Sequence, residues 1–198
     1  MIFIIFYILG VLSIDTTLQV IINLFAAIIL FVIAVNENKQ FKRHLPQERL
    51  FMSLVYINIF LCLSDAISWS LENVPGTFSF IFKFSFSSLA FAVIPIFAYT
   101  WFLYSLFSIF RNSVLLAKFI KFMKPLIIVS LTIIILNYFT HFLFYLDENN
   151  VYHRGPLFYP LTFVSFSLFL FTFGMILYNK KKIRSDHFAP MVFFVVPT

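Results

Sequence analysis

Long apolar runs, cut at intervals by short polar stretches, set the pattern of this chain. Residues 17–35, 50–71, 78–110, 125–146 and 157–178 each come close to or exceed the roughly 20 residues an α-helix needs to cross a hydrocarbon core. Residues 1–14 are also apolar, but they are short for a span and lack the positive start of a signal peptide, so they read as an N-terminal tail. From Phe188 a sixth run begins. The stretch 78–86 (FSFIFKFSF) alternates aromatic with mostly polar residues, which would suit a barrel strand. Apolar runs of about 18 residues are foreign to barrels, so helices are the better reading. The pattern predicts an all-α, polytopic helical membrane bundle with five full transmembrane helices and the start of a sixth.

Composition agrees. The chain has 198 residues, of which 62% are hydrophobic and 11% charged, and its mean hydropathy is +0.98. Soluble domains are about 45–50% apolar and about 25% charged, and a soluble globule of this size has too little interior to hide such a surface. The lipid bilayer is the expected partner. A net charge of +6 would suggest nucleic acid in a soluble protein, but the placement of the charges argues against it. The stretches after the first, third and fifth runs hold four Lys/Arg each, 12 of the 14, whereas those after the second and fourth hold only Arg154. By the positive-inside rule this places the N-terminus outside and the basic stretches in the cytoplasm.

Polar residues inside apolar runs narrow the search for a site. Asp65 lies within the second run, where a central Asp costs about 2.5–3.5 kcal/mol on insertion scales. Lys83 lies a similar depth inside the third. A short turn (ENVPG) joins the two runs, so an Asp65–Lys83 pair is expected, with Arg154 as the rival partner. The plainer alternative lets Lys83 reach the headgroups alone. Asn58, Cys62, Asp65, Trp69 and Glu72 share one helical face, lining either an outward pocket or a packing seam. Cys62, the sole cysteine, reads as a small buried apolar residue. Pro95 is a hinge candidate, and Trp101 and Tyr104 suit an interfacial aromatic belt. Pro125 suits a first helical turn.

His44, His141, His153 and His187 show no metal-binding spacing, and no nucleophile, phosphate-binding or nucleotide-binding motif is present. No catalytic residue, metal or cofactor is therefore expected in this chain.

The segment 137–160 (NYFTHFLFYLDENNVYHRGPLFYP) carries the most information. Asn137, Phe144, Asp147, Asn149, Tyr152, Arg154, Gly155 and Pro156 resemble the loop pattern in the multi-pass membrane regions that precede bacterial GGDEF diguanylate cyclase domains and some histidine kinases. Asp65, Trp69, Pro95, Trp101 and Tyr104 match as well. The resemblance covers about residues 15–198 and implies seven spans, a cytoplasmic output domain, a bacterial inner-membrane location and a homodimer in the full-length protein. Here the sequence stops within the sixth run, without an output domain, so residues 15–198 read as a sensory domain that is incomplete and itself non-catalytic. The resemblance implies a small-molecule signal, with Asp65, Trp69, Lys83, Asp147, Tyr152 and Arg154 as ligand-binding or signalling candidates. From the residues alone, Asp147, Tyr152 and Arg154 could equally form a structural turn, with Gly155 lending backbone freedom and Pro156 starting a helix. A transporter or channel subunit, or a non-functional remnant, are the rival functions.

Overall fold

The computed structural model describes residues 16–40, 46–111 and 113–183; the apolar tail, His44, His187 and the sixth run lie outside them. Five helices follow in order: α1 Thr16–Gln40, α2 Pro46–Ser70, α3 Thr77–Phe110, α4 Ser113–Thr140 and α5 Phe158–Tyr178. All five are long and apolar enough to cross a membrane. Between α4 and α5 sits a two-stranded antiparallel hairpin, β1 Phe144–Leu146 and β2 Tyr152–Arg154. The fold is an all-α membrane bundle with one small hairpin.

Helix α3 is the axis of the bundle. It packs against α2, α4 and α5, while α1 packs on α2. Its 34 residues extend about 50 Å at 1.5 Å per residue, well beyond a hydrocarbon core of about 30 Å. The alternation of 78–86 resolves into two helical faces. Phe78, Phe82 and Phe86 form a ladder with successive ring centroids 4.4 and 6.2 Å apart. Ser79, Lys83, Ser87 and Ala90 form the buried face. Small residues there let α2 approach, and Ser68 and Ser87 bond hydroxyl to hydroxyl at 2.6 Å.

Trp101 and Tyr104, expected in an interfacial belt, are core residues instead. They pack with Leu54, Phe97, Ile109 and Ile176, at 1% and 3% exposure. An aromatic in a long helix suits an interface or a core equally well by type, and here α3 runs between three neighbours that cover it. Cys62 is buried, as expected, and so is Asn58, which fits a packing seam on α2.

Helix α4 departs most from expectation. It begins at Ser113, so the basic stretch through Lys121 belongs to its first turns, and Pro125 lies inside the helix instead of at its start. Lysine is a good helix former, and Leu115, Leu116, Phe119 and Ile120 recur at helical spacing against Phe102, Leu103 and Leu106 of α3. At its other end α4 stops at Thr140, short of residue 146. His141 turns left-handed (φ 53°) while its N–H still bonds to the Asn137 carbonyl at 3.0 Å.

Candidate functional site

The polar residues of interest gather at the end of the bundle where the hairpin, the α2–α3 turn and the start of α5 meet. The base of the hairpin is built around Asn137, 1% exposed on the last turns of α4. Its Oδ1 accepts the N–H groups of Leu143 (2.6 Å) and Phe144 (3.2 Å), and its Nδ2 donates to the Phe144 carbonyl at 3.1 Å. One side chain thus satisfies three backbone groups that leaving the helix would orphan. Gly155 closes the base. A Cβ there would stand 2.2 Å from the Phe142 carbonyl oxygen, and the Gly155 N–H bonds to the Leu143 carbonyl at 2.9 Å. The glycine is therefore required by space, not by the backbone freedom expected of it. Pro156 precedes α5 by two residues, and Leu157 bonds back to the Phe142 carbonyl at 2.8 Å.

Strand alternation sorts the hairpin side chains into two faces. Phe144 and Tyr152 stack at 5.5 Å on the inward face, where Phe144, Leu143 and Ile134 pack with Phe84 and Phe91. Tyr145 and His153 stack at 5.0 Å on the other face, which is more open.

The tip turns on Asp147, Asn149 and Asn150. Asp147 Oδ1 accepts from Asn149 N (2.9 Å) and Val151 N (2.8 Å), and Oδ2 meets His153 Nε2 at 3.0 Å. The His153 contact, then the Val151 and Asn149 N–H groups, hold the Asp147 carboxyl below its usual range. Asn150 adopts the left-handed conformation (φ 64°), which asparagine tolerates better than most residues. Its side chain plugs into the α2–α3 turn, and Nδ2 donates to the Val74 carbonyl at 2.8 Å.

Beneath the tip lies a buried ion pair. Lys83 Nζ is 2.5 Å from Glu72 Oε2, with side-chain exposures of 2% and 11%. Lys83 also donates to the Asn150 carbonyl, while Glu72 Oε1 accepts the Tyr152 N–H at 3.2 Å. The expected Asp65–Lys83 pair is absent: among the described residues no ion pair or hydrogen bond reaches Asp65. The reason is directional. Side chains lean toward the N-terminus of their own helix, so Lys83 on α3 leans toward the turn and Glu72, whereas Asp65 on the antiparallel α2 leans away. Lys83 does not escape to the surface either, because the hairpin covers it.

Of the six candidates, the structure brings Lys83 and, through its backbone N–H alone, Tyr152 into one network. Asp147 shapes the tip above it. Arg154 stands beside the start of α5, its guanidinium 5.0 Å from the Phe158 ring centroid, with Nη1 donating to Tyr159 Oη at 3.3 Å. Trp69 is half-buried on the last turn of α2, one turn before Glu72, whose N–H bonds to its carbonyl at 3.1 Å. Pro95 lines a cavity of about 30 Å³ between α3, α4 and α5, with Tyr99, Ser130 and Ser165. That is room for water but far below the roughly 300–1,000 Å³ of a small-molecule pocket. Asn150 is the network member that sequence reasoning missed; Glu72, expected on the helical face shared with Asp65 and Trp69, lies in the turn after α2 and pairs with Lys83 instead. The available signal was the opposed lean of side chains on antiparallel helices, which favours the turn carboxylate over the intramembrane one.

No family model, curated protein or solved structure matches this chain.

Proposed function

We propose that residues 15–198 form a membrane-embedded, non-catalytic input region of a bacterial signalling protein, of the kind that precedes diguanylate cyclase or histidine kinase domains. In this reading the hairpin end faces outward and the basic end faces the cytoplasm. The observation that carries it is the hairpin itself. The residues of the resembling pattern fall into one small polar structure with separate tasks: Asn137 and Gly155 at the base, Asp147 at the tip and Tyr152 on the ion pair. Such a structure, linked to three helices, could bias helix packing when a small molecule binds, within the limit set by its differential affinity for two packings.

The test uses the native gene product, purified from membranes, with its intact mass and its reading frame past Thr198 determined. A product heavier than 23.3 kDa that converts GTP to a cyclic dinucleotide, or phosphorylates itself from ATP, supports the reading. A product of 23.3 kDa with neither activity overturns it.

A further inference from the structure

The hairpin is anchored at two places by different physics. Its base is held by buried packing, with Leu143 and Phe144 at 0% exposure among Ile134, Phe84 and Phe91, and by the Asn137 side chain, which satisfies the backbone there. Its tip is held by polar contacts to the α2–α3 turn: Asn150 to Val74, Lys83 to Asn150, and Tyr152 to Glu72. Around these contacts the chain is wet, for Glu148 and Asn149 are exposed. Closure also leaves a polar atom stranded. Asn150 is 2% exposed, yet its side-chain Oδ1 has no hydrogen-bond partner, a loss it would recover in water. A buried ion pair adds little net stability over its hydrated ions. The base thus has the features of a stable unit and the tip those of a weak one.

From this we infer that the hairpin is a strap hinged at Asn137 and Gly155, whose tip lifts from the α2–α3 turn and exposes the Lys83–Glu72 pair while the base stays packed. Such a motion belongs to this chain alone and does not depend on the signalling function. The Tyr152 N–H is the natural reporter, because it bonds to Glu72 across the latch and not within the hairpin. The Leu143 and Phe144 N–H groups, bonded to Asn137, report on the base.

The experiment is amide-resolved hydrogen exchange on the full chain in lipid nanodiscs, comparing wild type with Asn150→Gly and Glu72→Gln. Asn150→Gly keeps the left-handed turn and removes only the side-chain plug; Glu72→Gln weakens the ion pair. Expected is Tyr152 exchange accelerated about tenfold or more in Asn150→Gly, with Leu143 and Phe144 unchanged. Should Glu72→Gln fail to fold, Asn150→Gly decides alone. The strap is overturned if Tyr152 does not accelerate, or if Leu143 and Phe144 accelerate with it, since the hairpin would then open as one unit or not at all.

Discussion

At the scale of single residues, the hairpin rests on positions where one atom more or fewer matters. Gly155→Ala would drive a Cβ into the Phe142 carbonyl, and backbone at both ends of that contact is pinned by further hydrogen bonds. A destabilisation of about 1–3 kcal/mol, the usual cost of overpacking, is expected, read as a lowered midpoint in thermal unfolding in detergent. Asp147 is different because it is solvent-facing and its contribution depends on pH. Its folded carboxyl titrates below its unfolded value of about 3.9. The stability it adds is therefore present above that value and lost as pH falls through the lower folded one. Stability followed from pH 6 to pH 2 should fall less steeply in Asp147→Asn than in wild type at the acid end. Equal slopes would mean that the His153 and backbone contacts do not bias its titration. Lys83 and Glu72 show where residue-level reading of the sequence stops. Both were visible as polar residues near a short turn, but depth alone pairs Lys83 with Asp65, and only the lean of side chains along opposed helices selects Glu72.

Among elements, α1, α2, α3 and α5 lie close to where hydropathy puts them, because the length of an apolar run is set by the bilayer and survives in the sequence as a plain count. Helix α4 fails that test at both ends. Its first turns carry lysines that lower the hydropathy without opposing helix formation, and its last turn is ended by Asn137, whose side chain recruits the following backbone into the hairpin. A count of apolar residues registers neither effect. Lys118→Pro separates the two descriptions of this stretch. On a loop it would be tolerated; inside α4 it removes a backbone bond and should cost about 3 kcal/mol. Lys118→Gln serves as the control that removes the charge alone, and unfolding midpoints of the two variants supply the comparison. The hairpin was legible as the informative stretch but not as a pair of strands, since three-residue strands leave almost no periodicity to read.

Taken as a whole, the bundle has a polar hairpin end and a basic end. Arg49, Arg111, Lys118, Lys121, Lys180 and Lys181 are exposed at or near the latter. On the proposed orientation, with the basic end cytoplasmic, Asn149→Cys in intact cells should react with a membrane-impermeant maleimide and Lys181→Cys should not; the buried Cys62 contributes no background. The reverse pattern would invert the orientation. The ion pair has a further consequence, for the order in which the chain is made. Lys83 meets Glu72 only 11 residues away but receives the Asn150 contact from 67 residues downstream. During synthesis α2 and α3 leave the ribosome long before the hairpin exists, and a lone ammonium entering lipid would oppose insertion. Because its carboxylate partner arrives just ahead of it, the lysine can cross the translocon as half of a neutral pair, and the hairpin closes over a charge that has already been matched.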